Sequence, residues 1–156
     1  MRRKDREITD IKEITAIMRK CKVCSLAFFD EEYPYIVPLN FGFCVENDTV
    51  AMYFHGANAG KKLELLQKNS NVSFEMHCSE RLIDGENACD YTMEYESVCG
   101  IGIAEILNSS EKISALEQLM KQYSDRADLH FEQKEVDAVA VLKVTANEIH
   151  GKRLKR

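Results

Sequence analysis

Three extended runs follow one another with almost no chain between them, and this constrains the fold more than any other feature. Residues 22–29 carry Val23, Leu26, Phe28 and Phe29, residues 33–43 are rich in aromatic and branched side chains, and residues 49–55 read TVAMYFH. Only Asp30-Glu31-Glu32 and residues 44–48, with Glu46-Asn47-Asp48 as the turn, separate them. A parallel crossover needs roughly a dozen residues or more, so strands joined this tightly pair antiparallel. Pro34 and Pro38 both fall in the second run. Proline has no amide hydrogen to give a ladder, which places this run at a sheet edge, or bulged or bent near Pro38.

Thr9 or Asp10 caps a predicted helix running to about Lys20, with Ile11, Ile14, Ile17 and Met18 on one face. A small-residue loop, Gly56–Gly60, opens onto a helix over 61–68 marked by Leu63, Leu65 and Leu66. Residues 72–78 alternate with period two, and 79–90 read as a polar loop. A long strand over 91–107 is interrupted at Gly100 and Gly102, where a bulge or tight curvature fits. Ser109 or Ser110 caps a third helix, 111–123, with Ile113, Leu116, Leu119 and Met120 on one face. A polar connection over 124–135 leads to a final strand, 136–149. Helices do not alternate with strands, so a doubly wound sheet is disfavoured. The prediction is a single mainly β (α+β) domain over 1–156: six antiparallel strands in a closed or partly split barrel with peripheral helices.

Charge is distributed unevenly. The net charge is -5, yet residues 1–6 hold four basic and one acidic side chain, and residues 152–156 hold four basic and none acidic. The body between them therefore carries -12. An acidic body excludes a general nucleic-acid surface, which needs clustered Lys and Arg. No apolar run approaches the roughly 18–20 residues of a membrane helix. The charged start, Arg2 to Glu7, has no apolar stretch after it, so no secretory signal is expected. The six cysteines are accordingly expected as reduced thiols in a cytoplasmic protein. The N-terminal basic tip reads as a solvated leader.

Two stretches carry candidate chemistry. In Tyr53–Lys62 (YFHGANAGKK) a strand ends, small residues turn, and two lysines begin a helix. Close backbone approach, a helix N-terminus and two cations suit a phosphate monoester; the alternative is a glycine-rich turn followed by two solvated lysines. Lys62 stands where a Walker A loop has Ser or Thr, so this is not a nucleotide P-loop. In Tyr33–Gly42, Pro38 frees a carbonyl and Asn40 offers donors and acceptors, which suits a flat heteroaromatic ligand, or simply a guarded edge strand. His55 ends the strand before the loop, placed for ligand contact, for proton transfer or for a structural hydrogen bond. His77 reads as structural, His130 as solvated, and His150 as bordering the GKR segment. Cys21-x-x-Cys24 spans a helix end and a strand start, unlike a thioredoxin motif, and no second CxxC completes a zinc site. Both are expected as buried thiols, and no metal site is expected.

Taken in order, PYIVPLNFG, YFHGANAGKK, NxxVSFE, CDYTMEYESVCGIGIAE and IHGKR, together with the start MRRKDREITD, span almost the whole chain. Together they resemble the 5-nitroimidazole-resistance (Nim-like) branch of the pyridoxamine 5'-phosphate oxidase-related proteins. The resemblance implies an FMN-binding split β-barrel working as a homodimer, with flavin at the subunit interface. It implies that Ile36, Val37, Pro38, Leu39 and Asn40 line the isoalloxazine and ribityl chain. It further implies that His55 and Gly56 sit near the flavin, with His55 a candidate catalytic residue, and that Gly60, Lys61 and Lys62 hold the phosphate. Tyr95, Glu96 and Ser97 would reach the partner's flavin, and Lys152 and Arg153, after Gly151, would approach the same site. NADH or NADPH is the implied donor and a small aromatic or nitro-aromatic molecule the implied acceptor. The oxidase itself uses Arg and Ser-Arg-Lys elements around its phosphates. Here Pro34 and Tyr35 lie near the expected first Arg and Gly60 replaces the Ser, so oxidation of pyridoxamine phosphate is not expected. The alternative from another class is a non-catalytic flavin- or haem-binding module for sensing, storage or delivery, with His55 or His77 as a candidate haem ligand.

Overall fold

The computed structural model describes residues 3–126 and 128–155. Of the two basic tips, Met1, Arg2 and Arg156 therefore lie outside the described residues. Helix α1, Ile11–Lys20, begins at Asp10, whose carboxylate accepts the Lys12 amide at 2.7 Å and the Glu13 amide at 3.1 Å. Its apolar stripe buries Ile14, Ile17 and Met18, each contributing roughly 1.5–3 kcal/mol against the sheet. Helix α2 is Lys61–Lys68, with the predicted bounds. Helix α3, Lys112–Met120, starts within one residue of the expected position and ends three residues earlier. Neither Ser109 nor Ser110 caps it; the Ser110 amide instead donates to Asn108 Oδ1, and Glu111 occupies the cap position.

The sheet has eight strands: β1 Glu7–Ile8, β2 Cys24–Phe28, β3 Tyr35–Leu39, β4 Phe41–Glu46, β5 Thr49–Ala57, β6 Asn71–Ile83, β7 Thr92–Ile106 and β8 Val139–Leu154. Pairing is antiparallel throughout, in the order β3-β2-β6-β7-β8-β5-β4, with β1 added to β8. Eight replaces the six expected for two reasons. The run 33–43 breaks at Asn40 into two strands, and β1 is too short to show periodicity. The segment 79–83, expected as loop, continues β6 beyond a register shift at Cys78/Arg81, where Ser79 takes φ 63°. Residues 136 and 137 close a short helix α4, Gln133–Asp137, rather than opening β8. The glycines of β7 do mark a bulge. The register passes from Ile101 opposite Glu148 to Gly102 opposite Ala146, and a Cβ on Gly100 would come within 2.2 Å of the Glu148 carbonyl oxygen.

The two edge strands of this order, β3 and β4, are consecutive in the chain and separated by Asn40 alone. The sheet must therefore curl until its edges nearly meet: a barrel left open along one seam. Leu26, Phe28, Phe54, Phe74 and Met76 fill its interior. A smaller cluster, Leu107, Ala115, Leu116, Val136 and Val141, packs α3 and α4 on the outside of β5 and β8.

Candidate functional site

The start of α2 and the strand β3 meet. The Lys61 ammonium lies 2.5 Å from Asp30 Oδ2 and 5.1 Å from the Tyr35 ring centroid, so the turn after β2 and the first residue of β3 are pinned to the helix start. Hydrogen bonding to Lys61 holds the Asp30 carboxyl below its ordinary range. Lys62 is different. Its side chain folds back over the end of β5, where a Cβ at Gly56 would lie 2.8 Å from its Nζ. Among the described residues no carboxylate stands within ion-pair distance of Lys62. Gly60 caps α2 with φ 123°, a conformation that L side chains rarely adopt, and a Cβ there would meet open space. Its carbonyl accepts the Leu63 and Glu64 amides, leaving the Lys61 and Lys62 amide hydrogens without intrahelical acceptors. One unpaired cation, two free amides and an uncrowded glycine fit a phosphate group. A cavity of about 500 Å³ opens beside Gly60, bounded by Asn58, Gln67, Asn108 and Lys112. Lys112 is already committed there, donating to the Val139 carbonyl at 2.6 Å.

Strand β3 divides its candidate residues by face. Val37 and Leu39 pack on the core, whereas Ile36 and Pro38 face outward. Asn40, at the seam, donates through Nδ2 to the Lys22 carbonyl at 3.0 Å. His55 is exposed and points to the opposite face from Gly56, into a cavity of about 210 Å³ walled by Leu116, Leu119, Met120, Phe131 and Val139. His77 is held by Glu75 at 2.8 Å, which raises its pKa.

The remaining candidates form a second group at the far end of β7 and β8. Tyr95, Glu96 and Ser97 stand opposite Leu154, Arg153 and Lys152. His55 stands opposite Val141, so Lys152 lies eleven residues further along β8, about 36 Å of extended strand. The two groups do not meet within one chain. Glu96, nearly buried, is enclosed by Lys20, by Arg153 Nε at 2.7 Å and by Ser79 Oγ at 3.1 Å. Burial opposes its ionisation, but these donors outweigh it and hold the carboxyl below its ordinary value. Arg153 also donates to Glu13 at 2.8 Å. Lys152 lies 5.4 Å from the Tyr95 ring centroid.

Cys21 and Cys24 are buried, and burial pushes both thiols up, Cys24 to about 12, which leaves them protonated and unreactive at neutral pH. Sequence reasoning missed Gln122 and Tyr123. Buried Gln122 donates through Nε2 to the Met18 and Cys21 carbonyls, both at 2.8 Å, and so closes the C-terminal end of α1. Both residues act across about a hundred positions, which no local pattern signals.

The model of the pyridoxamine 5'-phosphate oxidase family matches residues 10–153. Among solved structures, a candidate 5-nitroimidazole antibiotic resistance protein from Bacteroides thetaiotaomicron is 32% identical, covering 94% of this chain and 86% of that one with a TM-score of 0.79. The flavocytochrome Anf3 from Azotobacter vinelandii (20% identity, 100% and 72% coverage, TM-score 0.81) shares the fold. So does an FAD- and haem-binding protein from Mycobacterium smegmatis (16%, 97% and 74%, TM-score 0.82). A search of curated proteins finds no match. With the fold, the ordered motifs and these likenesses in agreement, the chain belongs to the pyridoxamine 5'-phosphate oxidase-related family, on its Nim-like branch.

Proposed function

We propose that this protein binds FMN and acts as an oxidoreductase, passing electrons from NADH or NADPH to a small aromatic or nitro-aromatic acceptor. The observation that carries the reading is Lys62: a cation held over Gly56 without a counter-ion, beside the free amides of the α2 start. In this reading Lys62 and the Lys61 and Lys62 amides hold the flavin phosphate, while Lys61, tied to Asp30, positions the helix start against β3. Ile36 and Pro38 offer the outward face of β3 to the ring. Bound FMN would supply the hydride and electron transfer, so no side chain has to act as a covalent nucleophile.

The reading includes a homodimer. Ile36, Ala27, Ser73 and Ile101 lie in register across one outer face of the sheet, with Ile36 and Ile101 exposed. Exposed apolar side chains on a sheet face suit a second copy. A second copy would also bring the Tyr95–Lys152 group to a site that one chain leaves incomplete. The test is spectroscopic. Purified protein should show flavin bands that bleach on addition of NADH or NADPH, and should elute as a dimer. A haem Soret band, or flavin that neither donor reduces, would defeat the oxidoreductase reading.

A further inference from the structure

We propose that the cavity beside Gly60 is a nucleoside subsite, which takes the adenylyl half of FAD, so that a flavin held here continues past its first phosphate. The proposal rests on the reading of Lys62 as a flavin-phosphate ligand and adds a site to it. Gly60, Leu63, Glu64 and Gln67 line the cavity from one face of α2, a wall that follows the helix for about 10 Å. The other wall is the end of β7 and the turn before α3, where Leu107, Asn108 and Ser109 stand. Ala140 lies between them. It is the residue opposite Gly56 in the β5–β8 register, and Lys62 Nζ lies over Gly56. Directly opposed residues of an antiparallel pair hold their Cβ positions about 4.5–5.5 Å apart. The cavity thus begins one strand spacing from the unpaired ammonium. Cradle and cavity also share Gly60, where a side chain would meet nothing within 4 Å.

Beyond the cradle the chemistry changes from cationic to neutral. Among the described residues Lys112 is the only cation of the lining, and it is spent on the Val136 and Val139 carbonyls at 3.3 and 2.6 Å. What remains is three carboxamides over an apolar base of Leu63, Leu107 and Ala140. Asn58 gives its Nδ2 to the Asp137 carbonyl at 2.8 Å and keeps its oxygen. Asn108 Oδ1 accepts from the Ser110 amide and hydroxyl, at 3.1 and 2.6 Å, and keeps its Nδ2. Gln67 makes no side-chain hydrogen bond among the described residues and keeps both groups. A carboxamide pairs with the N6 donor and the N7 acceptor of adenine together, and an apolar base suits the flat purine. The Glu64 carboxylate can accept from a ribose hydroxyl, as acidic residues do in dinucleotide sites, and it repels any phosphate beyond the cradle. A phosphate-only occupant would use none of the carboxamides. The volume of about 500 Å³ falls in the range of small-molecule sites.

The test is a competition on the full chain as purified. The protein is equilibrated with an excess of FMN and FAD in equal amounts and desalted, and the retained flavin is released with acid and identified by chromatography. FAD should exceed FMN about tenfold. Gln67→Ala should lower that ratio several-fold, and Ser109→Trp, which fills the cavity from the turn, should bring it below one. Both positions are exposed, so neither variant threatens the fold. Equal retention of the two flavins, a preference for FMN, or a ratio that both variants leave unchanged overturns the proposal. FMN retained without preference for FAD overturns this proposal alone, whereas retention of neither flavin overturns the flavin reading with it. An unchanged flavin ratio in Ser109→Trp with weakened NADH binding would assign the cavity to the donor's adenosine, and the FAD assignment would fall.

Discussion

Asn40 and Tyr123 share one acceptor: the Asn40 side-chain amide at 3.0 Å and the Tyr123 hydroxyl at 2.8 Å both donate to the Lys22 carbonyl, while that hydroxyl accepts the Phe41 amide at 2.9 Å. These bonds clasp the seam between β3 and β4 to the chain leaving α1. Tyr123→Phe removes the hydroxyl, leaving the Phe41 amide without its acceptor and the Lys22 carbonyl with Asn40 alone. A destabilisation of about 1–3 kcal/mol is expected in urea unfolding. Gln122→Met should cost a similar amount, because the carbonyls ending α1 lose their donor. Wild-type midpoints in both variants would show that neither contact supports the fold.

The adjacent lysines of α2 should behave differently. Lys62→Ala removes the unpaired ammonium and is expected to weaken FMN retention about 10–100-fold, the range of a charge-assisted hydrogen bond. Lys61→Ala should weaken it less, since that charge is already spent on Asp30. Flavin absorbance after desalting measures both, and equal losses would contradict the division of roles.

Gly56→Ala makes a sharper test of the same geometry. The new methyl group would meet only the flexible end of Lys62, at 2.8 Å from Nζ and 3.0 Å from Cε, so the fold should tolerate it. The ammonium, however, must move. The expected variant has a melting temperature close to wild type and reduced FMN affinity. Unimpaired flavin binding would show that the Lys62 position over Gly56 is not the binding one.

Glu96 gives the protein a predictable acid response. Its folded carboxyl lies below the ordinary value near 4.5 because its donors outweigh its burial. A depressed carboxyl contributes stability that is fully present above the unfolded value and is lost as pH falls through the folded one. Below about pH 4.5 the wild type should therefore lose stability more steeply than Glu96→Gln. Parallel stability–pH curves would refute the coupling.

Local chemistry made much of this molecule legible. The Asp10 cap, the bounds of α2 and the glycine bulge of β7 each depend on residues within a few positions of one another. The edge placement of β3 followed from Pro38, whose missing amide hydrogen restricts where it can sit. What was hidden acts at a distance. The continuation of β6 past Ser79 depends on β7 offering Glu94, Met93 and Thr92 as partners, and nothing in the polar string 79–83 announces it. Within the site, local chemistry marks Lys61 and Lys62 alike as cations at a helix start, and only the family resemblance favours Lys62. The fold supplies the physical reason, because Asp30, which engages Lys61, lies in another turn. The basic N-terminal tip looked like a solvated leader; its pairing with β8 depends on a two-residue strand, too short for any periodicity to reveal.

The seam has a consequence for association. A sheet normally exposes two separate rows of unpaired amides and carbonyls, each a template on which a foreign strand can grow. Here β3 and β4 are the two lips of a single slit, joined at Asn40. Pro38 removes an amide donor from one lip, and Tyr123 occupies the Phe41 amide at the start of the other. Any added strand would have to enter a cleft whose closed end is already blunted on both sides, by Pro38 on one lip and Tyr123 on the other, which guards both edges against edge-to-edge aggregation.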